Sequence, residues 1–172
     1  MAKSGIRFSQ FYAGTSVCAP SRAVLMTGMH TGHTGIRGNA KVPLAVEERT
    51  VAEFLKKGGY STAAIGKWGL GNEGTTGVPS RKGFDEFFGY LDQTHAHAYY
   101  PEHLWRNDVK MLISENNDGK KKFYSHDFFT RAASNFIRHT TNTPFFLYLA
   151  YTIPHANNEM KEKGMEVPSD AP

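Results

Sequence analysis

Cysteine is nearly absent. Cys18 is the only one in 172 residues, so no internal disulfide can form, and the small secreted domains stapled by several bridges are excluded. No apolar run approaches the length of a transmembrane helix. The opening Met1-Ala2-Lys3-Ser4-Gly5 lacks the apolar core that a signal peptide needs. Charge of one sign is also scarce: Lys and Arg number 20 against 16 for Asp and Glu, a formal net charge of +4. The one basic run, Lys120-Lys121-Lys122, reads as a solvated loop. No stripe of basic and aromatic residues points to nucleic acid as a partner. What is present, 40% apolar and 21% charged residues, is the composition of a globular chain long enough for one ordinary domain.

A lone cysteine is either a buried small apolar residue or a reactive one. Its neighbours favour the second. Pro20 in a first turn and Ser21 as a cap predict a helix start, Ala23 to Met26 continue it, and Gly28 stops it. Cys18 is thus expected just ahead of a helix N-terminus, where free N–H groups and the dipole favour an anion. Arg22, one turn on, adds a fixed cation.

Cys18-Ala19-Pro20-Ser21-Arg22, followed by Leu25, Thr27 and Gly28, resembles the Cys-x-Pro-Ser-Arg signature of the sulfatase family. The resemblance implies that Cys18 is oxidised after translation to formylglycine by a formylglycine-generating or sulfatase-maturating enzyme. Pro20 and Arg22 would be part of what that enzyme reads. The plainer alternative is a buried Cys before an ordinary helix. Family members are usually much longer, and Val167-Pro168-Ser169-Asp170-Ala171-Pro172 stops in a loop. Residues 1–172 are therefore expected to be part of a single sulfatase catalytic domain, truncated at both ends.

Along the chain, Ile6, Phe8 and Phe11 predict a short strand or extended entry packed on a core. Three glycines punctuate the stretch from Met29 to Asn39, which reads as loop. His30 and His33 invite a metal reading that needs a helix, and the glycines favour loop histidines instead. Thr50-Val51-Ala52-Glu53 is a capping box. Val51, Phe54 and Leu55 give the helix behind it an apolar face, Lys56 and Lys57 suit its C-terminal turn, and Gly58-Gly59 end it. Tyr60 to Gly66 follows as a buried strand of small residues. Helix, glycine turn and strand make half of a βαβ crossover, the sign of a parallel sheet with helices on its faces.

Lys67 stands at that strand's C-terminal end, where open α/β sheets bind ligands. A lysine there is costly unless it meets an anion or snorkels to solvent. Gly59-Tyr60 through Gly66-Lys67-Trp68 resembles the second sulfatase signature, which implies that Lys67 contacts the sulfate. Many members carry a His two residues later, where this chain has Gly69, so one anion- or proton-handling group is missing or another residue supplies it. Some glycan-active members share the Gly.

Gly83 to Tyr90 reads as a strand and resembles the Gly-Phe-Asp segment that follows the Lys motif. His95 and His97, at i and i+2, would share one side of an extended strand and could pair on a metal. The resemblance points instead to a histidine that binds sulfate or hydrogen-bonds the formylglycine, and Ala96-His97 is the better match. Tyr99, Tyr100 and Trp105 either line a substrate cleft or belong to the core. The stretch 108–123 suggests a hairpin turning at Asn116-Asn117-Asp118-Gly119. Ser125 caps a helix with an apolar stripe of Phe128, Phe129, Ala132, Ala133, Phe136 and Ile137. The run from Pro144 to Tyr151 reads as a strand buried on both faces. His155, just past it, is either structural or, as its Pro-His match implies, a residue that meets the substrate.

The resemblance runs from Gly5 to the end. It implies an α/β fold, the alkaline-phosphatase-like three-layer sandwich with a mixed, mostly parallel sheet flanked by helices. It also implies a sulfuric ester hydrolase of the arylsulfatase kind, acting on aryl or, in preference, carbohydrate sulfates. The hydrated aldehyde at position 18 would attack sulfur with one hydroxyl and expel sulfate through the other. Arg22 would hold the hydrate, Lys67 and His155 would bind sulfate, and His97 would assist the hydrate. Ca²⁺ or another divalent cation would contact position 18, its other ligands lying outside this chain, so the piece alone is expected to be inactive. A formylglycine-dependent phosphomonoester or phosphonate hydrolase, or a non-catalytic fragment, stays open beside this reading. Family resemblance points to a periplasmic, extracellular or lysosome-like location, with a sulfated small molecule or glycan as substrate.

Overall fold

Ala64 and Ile65, neighbours on one strand, enter different cores, and this alternation sorts the whole molecule. The structure is a computed structural model that describes residues 2–168. Ser169 to Pro172, part of the loop expected at the C-terminus, lie outside the described residues. Strand β1 (Ser61–Lys67) runs parallel to both its neighbours, β2 (Glu86–Tyr90) and β5 (Phe145–Ala150). Strands β3 (His103–Arg106) and β4 (Val109–Leu112) extend the sheet antiparallel beyond β2, in the order β4-β3-β2-β1-β5.

On one face Ala64, Phe87, Trp105, Phe146 and Tyr148 pack against helix α1 (Cys18–Thr27) through Ala23 and Met26, and against helix α2 (Val51–Lys57) through Ala52. On the other face Ile65, Phe88, Leu104 and Leu147 meet helix α3 (Ser125–His139) through Phe129 and Ala133. Both faces of the sheet are covered by helix, so the elements form three layers.

Several local expectations change. Residues 2–17 form no strand, and Ile6, Phe8 and Phe11 are exposed rather than packed on a core. Helix α1 starts at Cys18 itself, with Val17 at the cap position and no side-chain cap bond from it. Ser21 therefore sits inside the helix. The N–H of Ala19 is capped from a distance, by Asn39 Oδ1 at 3.0 Å. A capping partner 20 residues away is invisible to local rules. Gly28 ends the helix in the left-handed conformation, φ 68°, as expected. The Thr50–Glu53 capping box forms, although Phe54 is exposed and the fully buried residue of α2 is Ala52.

The hairpin turn falls earlier than expected, at Asn107-Asp108 between β3 and β4. Asn107 takes φ 52°, and its Oδ1 accepts from the Phe87 N–H. Asn116 is instead buried in a 3₁₀ stretch, Ser114–Gly119, its amide bonding four backbone groups. Ser125 does not cap α3 but is its first residue, after Tyr124, and Ile137 is exposed while Phe129, Ala133 and Phe136 are buried. Strand β5 is one edge of the sheet among the described residues, with β4 at the other, so Phe145 and Leu149 are exposed rather than buried on both faces.

Candidate active site

Three parallel strands deliver their C-terminal ends to one edge of the sheet. Lys67 ends β1. The chain leaving β2 turns through His95–His97, and the chain leaving β5 runs into Thr152–His155. Pairing persists past the strand ends, with Trp68 N–H donating to Tyr90 O and Gly69 N–H to Leu91 O. Gly66 makes the close approach possible. It has φ +103°, and a Cβ there would lie 2.1 Å from Ala150 O.

Helix α1 is tied to this edge by Arg22, whose Nη1 donates to Lys67 O at 2.6 Å and to Tyr148 Oη at 3.0 Å. One turn earlier, Cys18 occupies the first helical position and borders an open hollow of about 310 Å³ with Arg22, Leu25 and Tyr148. The Lys67 side chain is buried and interacts with the Cys18 thiol. Burial pushes the Lys67 ammonium below the usual lysine range, Arg22 adds in the same sense, and Cys18 and Asp92 push it back. A buried ammonium beside a helix N-terminus is a centre for an anion.

His95 and His97 do not share a face. They belong to a 3₁₀ turn rather than an extended strand, and their side chains part company. His95 stacks on His103, ring centroids 4.1 Å apart. His97 stacks on His155 at 4.6 Å with the planes 13° apart. Nδ1 of His97 lies 3.0 Å from Oε2 of Glu159. A carboxylate can only accept, so Nδ1 carries the proton and Nε2 of the neutral ring is left as an acceptor. Burial holds the His97 pKa below its ordinary value, and Lys67 and His155 work in the same direction against Glu159. His155 is exposed, and its Nδ1 lies 2.8 Å from Ala156 O. Cys18, Arg22, Lys67, His97 and His155 thus gather on one edge from α1, β1 and the loops after β2 and β5.

Two supporting residues were not singled out from the sequence as parts of the site. Glu159 follows His155 by four residues, and nothing in its spacing marks it as a partner of His97. His126 is buried on α3, and its Nε2 faces the N–H groups of Thr152 and Ile153 and the hydroxyl of Thr152 at 2.8–3.2 Å. Burial lowers its pKa to about 4, so the ring is a neutral acceptor holding the loop that presents His155. Tyr99 is core by burial and supports the same loop, donating from Oη to His155 O at 2.8 Å. Trp105 is buried, and Tyr100 is half-buried. His30 and His33 sit on an exposed turn, rings edge to face.

Gly69 has a physical partner. Gln93 Nε2 donates to Gly69 O at 2.9 Å, and the Gln93 amide occupies the space next to the Gly69 Cα. For a metal, the described residues contain no group of three or more His, Cys, Asp or Glu side chains able to hold one. A hard cation such as Ca²⁺ asks for six to eight oxygens, and a thiol is a poor ligand for it. The residues present therefore do not make a calcium site by themselves.

A buried ammonium beside the start of α1, on the C-terminal edge of a helix-covered mixed sheet, makes this an α/β protein with its candidate site at the strand ends. The family model for sulfatases matches residues 1–167, and the chain belongs to the sulfatase family. Its architecture is the alkaline-phosphatase-like α/β fold. An arylsulfatase of Hemicentrotus pulcherrimus is 32% identical over 91% of this chain and 32% of its own length. An N-acetylglucosamine-6-O-sulfatase of Bacteroides thetaiotaomicron is 32% identical over 91% of the chain and 25% of its own. The solved structure of BT4656 in complex with its substrate D-glucosamine-2-N,6-O-disulfate superposes with a TM-score of 0.70, at 30% identity over 90% of this chain and 28% of that one. The chain thus spans about a third or less of the length of these relatives. Among the described residues no helix is long and apolar enough to cross a membrane.

Proposed function

We propose that this chain carries the reacting centre of a sulfuric ester hydrolase, within a single catalytic domain longer than residues 1–172. The observation that carries the reading is the Lys67 ammonium set against Cys18 at the start of α1, with His97 and His155 stacked on the same sheet edge. Cys18, converted to formylglycine by a maturation enzyme, supplies as a hydrated aldehyde the nucleophile for sulfur. Lys67 donates to a sulfate oxygen and offsets charge that grows in the transition state. His155 lies within reach of the departing ester oxygen as a proton donor. His97 takes a proton at Nε2, its Nδ1–H being held on Glu159. Arg22 keeps α1 in register with β1 and β5 through Lys67 O and Tyr148, and so sets where residue 18 sits. A divalent cation, calcium in this reading, takes its oxygen ligands from outside the described residues.

Carbohydrate sulfates are the preferred substrates. The relative named N-acetylglucosamine-6-O-sulfatase and the related structure in complex with D-glucosamine-2-N,6-O-disulfate support that choice. A periplasmic, extracellular or lysosomal location fits a hydrolase of such polymers.

The test uses a protein that carries this sequence within a complete sulfatase domain, made together with a maturation enzyme. Mass spectrometry of the peptide containing residue 18 should show a loss of about 18 Da, the replacement of CH₂SH by CHO. Paired sulfate and phosphate esters of one alcohol then separate the two hydrolase readings. Release of sulfate from modified protein supports the proposal. An intact, alkylatable thiol in active enzyme, or turnover of the phosphate ester alone, overturns it.

A further inference from the structure

One loop touches two elements of the candidate centre. Its ends are pinned in the core. Ile36 and Leu44 are fully buried in the cluster that holds Ala19, Ala23 and Met26 of α1. Thr34 Oγ1 donates to Ile36 O at 3.0 Å, and the Leu44 N–H donates to Leu70 O at 2.8 Å, just past β1. Between these pins the crest, Asn39 to Lys41, is exposed. Where the crest sits therefore depends on what its side chains hold.

Asn39 holds the start of α1. Its Oδ1 accepts from the Ala19 N–H at 3.0 Å, on the peptide bond that joins Ala19 to Cys18. The local chain offers little else there. Val17 makes no side-chain cap, Pro20 has no N–H, and the Ser21 N–H returns to Val17 O at 3.2 Å. Lys41, two residues on from Asn39, holds the turn that carries His97. Lys41 Nζ lies 2.9 Å from Asp92 Oδ2. Asp92 Oδ1 accepts from the Thr94 N–H at 2.8 Å and the His95 N–H at 3.0 Å, and Asp92 O accepts from the Ala96 N–H at 3.3 Å. His97 closes that turn. Burial pushes the Asp92 carboxyl up, but Lys41 and the two N–H groups outweigh it and hold the carboxyl below the usual carboxylate range. The pair is therefore ionic at neutral pH.

An ion pair as open as this one, with the Lys41 side chain 72% exposed, adds little stability. What it supplies is a fixed separation. Helix α1 and the His97 turn are far apart in sequence, and the crest bonds to both. His97 can take a proton from a group on residue 18 only within about 2.6–3.2 Å, or through one water. A misplacement of about 1 Å can cost roughly a hundredfold in rate.

We propose that the crest from Asn39 to Lys41 is a brace that fixes residue 18 relative to His97, with Asn39 and Asp92 as positioning residues for the proton transfer between them. This rests on the sulfate-ester reading of the centre. Asn39, Lys41 and Asp92 act through Ala19 and the His97 turn, not on the substrate.

The test uses the protein with its complete domain and has two arms. The first needs no turnover. Hydrogen–deuterium exchange is followed by mass spectrometry in peptides covering 17–26 and 93–98. The Lys41 side chain bonds to Asp92, outside both stretches. Lys41→Ala should nevertheless speed exchange in both, by up to about tenfold, the scale on which losing a helix cap opens a segment. Unchanged exchange in 17–26 overturns the brace.

The second arm is kinetic, with kcat expressed per formylglycine found by mass spectrometry. Asn39→Ala and Asp92→Ala should each lower kcat by roughly 10- to 100-fold, with KM within about twofold of the parent. The double variant should cost little more than the worse single one, since both break one relation. Asp92→Asn keeps an acceptor for the Thr94 and His95 N–H groups and should recover most of the Asp92→Ala loss. Multiplying losses in the double variant, or no recovery with Asn, overturns the positioning role. A parent enzyme that releases no sulfate while exchange stays coupled would sink the hydrolase reading and leave the brace standing.

Discussion

The side-chain amide of Gln93 stands where any side chain at position 69 would have to go: a Cβ on Gly69 would lie 2.0 Å from its Nε2 and 2.5 Å from its Cδ. Gly69 also takes φ +75°, a conformation that L residues rarely adopt. The glycine and the glutamine are thus one arrangement. Where many relatives are expected to place a histidine, this chain folds an amide back onto the Gly69 carbonyl.

Gly69→His should therefore destabilise the protein by roughly 1–3 kcal/mol, from overpacking against Gln93 together with backbone strain. Gly69→His combined with Gln93→Gly should recover a good part of that loss, since the clash goes and the strain stays. Chemical denaturation of the two single variants and the double variant gives the coupling directly. Additive effects would mean that Gln93 simply swings aside.

Lys67→Ala and His155→Ala should lower kcat for sulfate release far more than His30→Ala or His33→Ala. Losing one donor aimed at developing charge typically costs on the order of 10²–10³ in kcat, whereas His30 and His33 lie on an exposed turn. Arg22→Lys should also be damaging, although it keeps the charge. An ammonium does not reproduce the fixed fork by which Nη1 reaches both Lys67 O and Tyr148 Oη. Steady-state kinetics on one sulfate ester ranks the five variants, and comparable losses at His30 and Lys67 would show the centre to be elsewhere.

Much of this was legible in the sequence because it is written in local pattern. The capping box at Thr50, the glycine stop at Gly28 and the small-residue strand ending in Lys67 each depend on neighbours a few residues apart. Within the candidate centre, Lys67, His97 and His155 end strands or follow them, and Cys18 and Arg22 stand one turn apart at the start of α1. What escaped depends on distant partners. Asn39 caps α1 across 20 residues, Glu159 reaches His97 across 62, and His126 binds the Thr152 loop across 26. The exposed faces of β5 and of residues 2–17 escaped for a related reason, since an apolar run does not say which of its sides meets a neighbour.

Glu159 offers a test of tautomer control. Hydrogen bonding and charge from Glu159 raise the His97 pKa against the larger lowering from burial. Glu159→Gln removes the raising influence of the negative charge, so the His97 pKa should fall further. If neutral His97 is the active form, the acid limb of the kcat/KM profile moves to lower pH in this variant. The maximum rate should also drop several-fold, well short of the roughly 10²–10⁴-fold that a positioned acid–base group supplies, because the ring loses part of its fixed orientation. A pH–rate profile identical to the parent's would remove Glu159 from the mechanism.

His126 makes a prediction about stability rather than rate. Its Nε2 accepts from Thr152 and Ile153, and protonation would turn that acceptor into a donor facing donors. Burial places its folded-state pKa at about 4, below the ordinary histidine value of 6.5. The unfolded chain therefore binds more protons between those two values, and the linkage sign follows: stability rises with pH across the window. The stabilisation from the neutral ring is fully present above pH 6.5 and is lost as pH falls towards 4. His95, His97 and His103 have pKa values shifted in the same direction, so the parent's pH dependence is shared among them. A His126→Gln variant isolates the one contribution, since an amide oxygen can still accept but cannot be protonated in this range. Thermal melts at pH 7 and pH 5 should show a smaller fall in Tm for the variant than for the parent, and a lower Tm than the parent at pH 7, where the imidazole fits better. If both proteins lose the same amount between pH 7 and pH 5, His126 is not the group that titrates.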